Sequence, residues 1–106
     1  MSYRFMRMML FFDLPVETPQ QRREYSKFRK YLIKNGFLMM QESVYCKIAP
    51  NQTAVNSIYN GLQKNKPSKG LIQTLIVTEK QFSKMDFILG DYQGDIINSD
   101  ERFIEL

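Results

Sequence analysis

Residues 8–15 have the sequence Met-Met-Leu-Phe-Phe-Asp-Leu-Pro, and this stretch decides the fold. From Phe5 to Phe12 the chain is apolar except for Arg7, which predicts a central β-strand over residues 3–13 that is buried on both faces. Because Pro15 has no N–H to donate, the strand ends there. Asp13 is therefore placed at the carboxyl end of a core strand, a common position for a ligand or metal site.

Capping and turn signals define the elements that follow this strand. Thr18 and the proline after it begin a helix, with Thr18 as N-cap of a capping box. The helix is predicted to run to Asn35, where Gly36 supplies the left-handed residue that ends it. Residues 37–48 are extended in character with a polar centre at residues 41–43, which predicts two strands joined there by a tight turn or bulge.

The second half of the chain repeats the pattern of helix and strand. Asn51 caps a second helix with an apolar stripe facing the sheet. Residues 71–78 are rich in β-branched side chains and predict a further strand. A polar stretch over residues 79–84 leads to a predicted edge strand at residues 87–90, and residues 102–106 are a candidate for another short strand.

The order strand, helix, strand, strand, helix, strand is that of an α+β, ferredoxin-like βαββαβ sandwich. We expect a basic core over residues 1–84 and an acidic C-terminal edge strand and tail over residues 85–106, both in one domain. Two helices cover one face of such a sheet, and the other face is expected to carry Met, Phe and Tyr side chains. Because a small sheet does not leave an apolar face in water, we expect a two-fold homodimer through that face.

Composition excludes several classes of function. The chain has 106 residues, enough for one domain, and no histidine. Serine and cysteine nucleophile systems that depend on histidine are excluded, as are zinc sites built on histidine or several cysteines. Any metal needs oxygen ligands, which selects Mg²⁺, with Mn²⁺ as the alternative. No run is apolar and long enough for a membrane span or a signal peptide, and the single Cys46 fits a reducing cytoplasm.

Charge is distributed unevenly along the chain. Residues 1–84 hold fourteen Lys or Arg and five Asp or Glu, a balance of +9, whereas residues 85–106 hold one Arg and six acids, a balance of −5; together these give the net +4. A basic body suggests a polyanionic partner. The acidic tail is expected to avoid nucleic acid and to dock on a basic protein surface, while simple solubility is the alternative explanation of the mixed charge.

Four cations align on the predicted first helix, opposite its apolar stripe. Spaced at i, i+4, i+7 and i+11, they are Arg23, Lys27, Lys30 and Lys34. They span about 16 Å of helix, which matches a run of DNA phosphates spaced about 1.7 Å apart along the duplex axis. A solvated helix face is the alternative, although a solvated face usually carries both signs of charge.

Other basic residues are weaker candidates for phosphate contact. Arg4 and Arg7 point to opposite faces of the first strand, and each reaches either a phosphate or only an acidic neighbour. The three lysines around Pro67 either extend the basic surface or are simply solvated; they are Lys64, Lys66 and Lys69.

Asp13 is the best candidate for catalysis and for metal binding, although one carboxylate is too few for a catalytic metal. If the strand ends lie near a two-fold axis, the Asp13 carboxylates of two copies could share a Mg²⁺ that polarises a phosphate and activates water. The alternative is that Asp13 caps a turn or pairs with an arginine. Ser43 and Tyr45 are weaker candidates to line the same cleft, and Cys46 is expected in the core.

Three motifs resemble a known family. They are Phe12-Asp13-Leu14-Pro15, the spacing Arg22-Arg23-x4-Phe28-x3-Leu32-x3-Gly36, and Gln41-x-Ser43-Val44-Tyr45. The chain resembles the small CRISPR-associated adaptation proteins, the second of the two universal CRISPR-associated families, and its C-terminal half is most similar to members that accompany type II-A systems. Tyr45 stands where the family often has phenylalanine.

The resemblance implies a ferredoxin-like homodimer that bridges two CRISPR integrase dimers and holds double-stranded prespacer DNA for spacer acquisition. It implies that Asp13 corresponds to an aspartate credited with a dimer-interface Mg²⁺ in members described as RNases or DNases, and that Arg22 and Arg23 match basic helix positions. Three hypotheses stay open: an architectural nucleic-acid-binding subunit, a metal-dependent endonuclease of RNA or double-stranded DNA, and an interaction module without a nucleic-acid partner.

Overall fold

A computed structural model of the protein describes residues 5–90. The elements follow in the order β1 (Met6–Asp13), α1 (Pro19–Lys34), β2 (Leu38–Gln41), β3 (Val44–Ala49), α2 (Gln52–Asn65), β4 (Leu71–Thr78) and α3 (Glu79–Ser83). The strands form one antiparallel sheet in the order β2-β3-β1-β4. This is the ferredoxin-like arrangement, and the predicted fold class is confirmed.

Alternation along β1 divides the sheet into a covered and an open face. Met8, Leu10 and Phe12 point to the side where α1 and α2 pack, and all three are buried. Phe12 lies at the centre of this core, edge-on to Phe28 at 5.7 Å between ring centroids and stacked on Tyr45 at the same distance. These contacts hold β1 against the two helices, and within the sheet β1 lies between β3 and β4.

The predicted boundaries of α1 are confirmed to within a residue. The Thr18 hydroxyl accepts from the Gln21 N–H at 3.1 Å, and the Gln21 side chain accepts from the Thr18 N–H at the same distance, which closes the predicted capping box. Asn35 is the C-cap and Gly36 follows with a φ of 88°, a left-handed conformation that suits glycine.

The division of the extended stretch after Gly36 is also confirmed. A turn at residues 42–43 separates β2 from β3, and the register shifts between Met39 and Gln41, as in a β-bulge. The second helix begins after Asn51, whose side chain accepts from the Ala54 N–H at 2.8 Å.

The region after β4 differs from the prediction. Residues 79–84 were expected to be a polar connection, but Glu79–Ser83 form α3. Thr78 and Gln81 make the same reciprocal capping box as Thr18 and Gln21, which starts a helix directly at the end of the strand.

The predicted edge strand at residues 87–90 is wrong. These residues pair with no strand among residues 5–90. Ile88 and Leu89 are 94% and 92% exposed, and Gly90 has a φ of 90°, because the chain leaves the sheet at α3 instead of turning back along it. The predicted strand at residues 102–106, residues 3–4 of the first strand and most of the acidic tail lie outside the described residues.

The open face of the sheet remains largely apolar. Met9, Phe11 and Val44 line a hollow of about 380 Å³ that α3 closes on one side. Around it lie exposed apolar side chains of the same face, namely Leu38, Ile48, Leu71 and Leu75. Tyr45, the tyrosine of the described strands, points to the helices and not to this face.

Candidate nucleic-acid and metal sites

Asp13 ends β1 at the edge of the open face. It pairs with Leu71 of β4 in the ladder, and its side chain is exposed. Because the Asp13 carboxylate is exposed, water solvates its charge, and the cost of burying a carboxylate does not arise. Among residues 5–90, Asp13 forms no salt bridge with an arginine or lysine.

Gly70 packs closely against the backbone of Asp13 and Leu14 at the end of β1. Its φ is 118°, and a Cβ at this position would lie 3.0 Å from the Asp13 carbonyl oxygen and 2.6 Å from Leu14 Cδ2. Both the left-handed backbone and the close approach require glycine here. No local sequence signal predicts this contact, because it depends on pairing between β1 and β4.

One chain does not supply a complete metal site within the described residues. No group of three or more Cys, Asp or Glu side chains converges there. Since Mg²⁺ is usually bound by only one or two carboxylates and keeps several waters, a solvent-facing Asp13 from each of two copies fits the chemistry of that ion. The metal role of Asp13 stays a prediction.

The four aligned cations of α1 form an exposed stripe, which we call the α1 stripe. Its members are Arg23, Lys27, Lys30 and Lys34. On the opposite side of the helix Phe28 and Leu32 are buried in the core. Within residues 5–90 no carboxylate forms a salt bridge with the stripe, so its charge faces solvent.

Glu24 lies beside the α1 stripe but is turned away from it. Its carboxylate accepts from the Ser68 N–H at 3.2 Å and the Ser68 hydroxyl at 3.0 Å. The backbone hydrogen bond from Ser68 is the main reason why the pKa of Glu24 is lowered, with a smaller contribution from Lys27. These bonds attach the loop after α2 to α1.

Arg22 has a local structural contact that the sequence did not suggest. One of its terminal nitrogens donates to the carbonyl of Val16 at 3.0 Å and to that of Glu17 at 3.1 Å. Arg22 therefore holds the loop between β1 and α1, and its side chain is exposed enough for a phosphate to approach. Phosphate contact by Arg22 stays a prediction.

Arg7 has the acidic neighbour that was one of its two predicted alternatives. Its guanidinium donates to both carboxylate oxygens of Glu79 at 2.7 and 2.8 Å, lies 4.0 Å from the Phe82 ring centroid and donates to Cys46 Sγ at 3.5 Å. The Glu79 hydrogen bond raises the pKa of Arg7, and the same bond lowers the pKa of Glu79. Arg4, its predicted companion, lies outside the described residues.

The remaining candidates of the cleft are placed in the core or at its rim. Tyr45 is fully buried on the helix side, so the expectation that it lines a cleft with Asp13 is wrong; its hydroxyl accepts from Arg29 Nε at 3.0 Å. Ser43 is half-buried, and its carbonyl accepts from the Phe12 N–H. Cys46 is buried as predicted, and burial raises the pKa of its thiol.

The loop after α2 carries the three lysines around Pro67, and all three are exposed. Lys64 and Lys66 line a hollow of about 320 Å³ together with Lys27 of the α1 stripe. Exposure fits both predicted alternatives, an extended basic surface and simple solvation, so phosphate contact by these lysines stays a prediction.

Comparison with known proteins identifies the family of the chain. Residues 6–85 match the family model described as CRISPR associated protein Cas2. The chain belongs to the CRISPR associated protein Cas2 family. The matched segment begins with β1 and extends beyond α3, so it contains the complete sheet, Asp13 and the α1 stripe.

Curated relatives of this Cas2 family member cover nearly its whole length. A protein of Treponema denticola is 52% identical over 95% of this chain and 100% of its own. One of Ligilactobacillus salivarius is 48% identical with the same coverage, and one of Streptococcus mutans is 46% identical over 95% of this chain and 93% of its own. All three are named CRISPR-associated endoribonuclease Cas2.

Among the described residues, no helix is both long and apolar enough to cross a bilayer.

Proposed function

We propose that this Cas2 family member is an architectural subunit of CRISPR adaptation that dimerises, bridges integrase dimers and binds double-stranded prespacer DNA. The observation that carries the proposal is the α1 stripe, four exposed cations of one sign along one side of a helix that the core holds in place. A stripe about 16 Å long can contact phosphates along roughly half a helical turn of a duplex, whose turn is about 34 Å.

A charge-reversal pair tests the DNA contact. Lys27→Glu with Lys30→Glu should weaken binding of a blunt duplex and flatten its salt dependence, because two phosphate contacts account for about 1.8 units of the slope of log K against log salt. The matched control is Lys80→Glu with Lys84→Glu, which changes the net charge equally but lies at α3. Because Lys84 lines the hollow of the open face, sedimentation velocity must show that this control keeps the oligomeric state of wild type. Fluorescence anisotropy at several salt concentrations measures both pairs, and equal binding by the stripe variant and wild type would sink the proposal.

The open face of the sheet supports the homodimer. Exposed apolar residues surround the 380 Å³ hollow on this face, and residues 5–90 of one protomer leave them uncovered. Leu75, 55% exposed near the centre of β4, is a suitable probe. Leu75→Glu should convert a dimer into a monomer in sedimentation velocity, whereas Tyr59→Glu on α2, with comparable exposure, should not; an unchanged dimer in the Leu75 variant would place the interface elsewhere.

The acidic tail is proposed as the segment that docks on the integrase. Its charge balance of −5 over residues 85–106 is opposite to that of the body. Truncation after residue 84 should abolish co-purification of the integrase and leave duplex binding intact. Retained integrase binding would contradict the docking role.

A second function, metal-dependent endonuclease activity on RNA or double-stranded DNA, is favoured by the position of Asp13. Its carboxylate is solvent-exposed at the end of the central strand, and the curated relatives are named endoribonucleases. The Asp13 carboxylates of two copies would hold a Mg²⁺ or Mn²⁺ ion, which when bound polarises a phosphate and lowers the pKa of a water.

Asp13→Asn tests this second function, because it keeps the shape of the side chain and removes its charge. The variant and addition of EDTA should each abolish cleavage of labelled RNA and duplex DNA, while Glu17→Gln, in the loop after β1, should leave it unchanged. Full cleavage by the Asp13 variant would assign the activity to a contaminating nuclease. Duplex binding through the α1 stripe is expected to survive in Asp13→Asn, so the two functions are separable.

A further inference from the structure

The short helix α3 lies against the open face of the sheet, although its own stability is slight. It has five residues, and none of them is buried. Isolated helices shorter than about 12 residues are marginal in water, because nucleation costs more than so few hydrogen bonds return. The capping box of Thr78 and Gln81 fixes where α3 begins, but contacts with the sheet must decide whether it stays docked.

Arg7 supplies such contacts from the start of β1. Its Nε and one terminal nitrogen donate to the two carboxylate oxygens of Glu79 at 2.8 and 2.7 Å, and the other terminal nitrogen donates to Cys46 Sγ at 3.5 Å. The guanidinium also lies 4.0 Å from the ring centroid of Phe82, a second residue of α3. Only arginine combines a planar fork for a carboxylate with a flat face for an aromatic ring. We call Arg7, Glu79 and Phe82 the α3 latch.

The ion pair of the α3 latch is largely withdrawn from water. The Arg7 side chain is 13% exposed, and that of Glu79 is 37% exposed. Removing one partner of a desolvated pair is unfavourable, since it leaves the other charge without compensation. Arg7 therefore favours the docked position of α3, because undocking takes the Glu79 carboxylate away from it.

Docked α3 forms one side of the hollow in the open face. Gln81 and Phe82 of α3 line this hollow with the next residues of the chain, Lys84 and Met85, and Met9 of β1 lies on the strand side. Phe82 thus belongs both to the α3 latch and to the surface that the proposed homodimer covers. If α3 undocks, the hollow loses one side and the open face has a different shape.

We propose that the α3 latch holds α3 as part of the surface on which a second copy of this chain packs, so that only a chain with docked α3 dimerises tightly. The proposal deepens the proposed homodimer and rests on it. Arg7 and Glu79 act as positioning residues for this interface. Because α3 must be docked in both protomers, a docked fraction of about one half raises the dimer dissociation constant about fourfold.

The first measurement follows the docking of α3 through Cys46, the one cysteine of the chain. Cys46 is 2% exposed and is contacted by the Arg7 guanidinium, so a thiol reagent reaches it faster once α3 and Arg7 move away. Glu79→Lys, which places a like charge beside Arg7, should raise the labelling rate about tenfold or more, the lower limit for losing hydrogen bonds between charged groups. Glu17→Lys in the loop after β1 changes the charge equally and should label at the wild-type rate.

Labelling is repeated at several protein concentrations. Opening of α3 within one chain is independent of concentration, whereas protection of Cys46 by a partner is not. Unchanged labelling in Glu79→Lys would overturn the α3 latch.

The second measurement is the dimer dissociation constant from sedimentation equilibrium. Glu79→Lys should raise it about fourfold or more, and Glu17→Lys should leave it unchanged. Glu79→Lys combined with Arg7→Glu should recover part of the loss, because the exchanged charges attract again. Faster labelling with an unchanged dissociation constant would overturn the role of α3 in the interface. So would a dimer that stays equally weak in the exchanged pair, since the loss would then come from a charge placed in the interface.

Further results separate this proposal from the homodimer itself. If wild type is monomeric at every concentration, the homodimer fails and the interface role of α3 fails with it, while labelling still decides on the α3 latch. If Leu75→Glu abolishes the dimer and Glu79→Lys does not weaken it, the homodimer stands and the role of α3 fails. Should Glu79→Lys not fold, Arg7→Lys decides in both assays, since it keeps the charge and loses the planar fork.

Discussion

Gly70→Ala should destabilise the protein through the strand end that carries Asp13. A left-handed backbone costs a residue with a Cβ about 1–2 kcal/mol. The added Cβ would also lie 3.0 Å from the Asp13 carbonyl oxygen and 2.6 Å from Leu14 Cδ2, and crowding of this kind typically costs a further 1–3 kcal/mol. We therefore expect the free energy of unfolding to fall by about 2–5 kcal/mol, because the carbonyl belongs to a hydrogen-bonded strand and cannot move freely.

Gly36→Ala is the matched control for Gly70→Ala. Its φ of 88° is also left-handed, but the atom that its Cβ would meet is Lys47 Nζ, the far end of a flexible side chain. It should lose only the backbone contribution of about 1–2 kcal/mol. Urea unfolding at equal protein concentration measures both variants. Equal losses in the two proteins would show that the end of β1 yields without cost and would refute the reasoning.

Three further predictions concern the core and α3. Phe12→Leu should lower the free energy of unfolding by about 1.5–4.5 kcal/mol, since Phe12 makes three ring contacts at 5.7–6.0 Å and each contributes about 0.5–1.5 kcal/mol. Phe11→Leu on the open face should lower it less in the same urea experiment. Arg7 lowers the pKa of Glu79, so the Glu79 carboxylate stabilises the fold above about pH 4.3 and loses this effect as the pH falls through its folded pKa. The difference in free energy of unfolding between wild type and Glu79→Gln should therefore shrink below about pH 4.3. A difference that stays constant with pH would contradict this prediction. Thr78→Ala should lower the free energy of unfolding by about 0.5–2 kcal/mol, because α3 loses its N-cap. Thr74→Ala at the strand edge should lower the same free energy less.

Local signals were sufficient for most of the fold. The capping box at Thr18, the glycine at residue 36 and the polar interruption at residues 41–43 each specify structure through neighbouring residues, and each was predicted correctly. The capping box at Thr78 carries the same local signal, but it directly follows a strand without an intervening loop, so the polar residues after it resemble a connection. The apolar run at residues 87–90 was misassigned, since a short apolar run alone does not reveal whether a partner strand is available.

The candidate site was predictable only where one element carries it. The α1 stripe follows from helical periodicity, and Asp13 follows from the end of a strand. The ion pair of Arg7 with Glu79 joins residues 72 positions apart, and the approach of Gly70 to Asp13 depends on strand order. Such contacts become visible only when the topology is known, because nothing in the local sequence distinguishes these residues from solvated ones.

The strand order β2-β3-β1-β4 has a consequence for how the chain folds as it is synthesised. Of the four strands that the structure describes, β1 is synthesised first, yet one of its two neighbours, β4, is synthesised last. Until residues 71–78 have emerged, the most apolar strand of the protein can pair on one side only. Its other edge, with Met8 and Met9 beside it, is open to any extended segment nearby. The position of β1 at the centre of the sheet protects it in the finished protein and exposes it during most of translation.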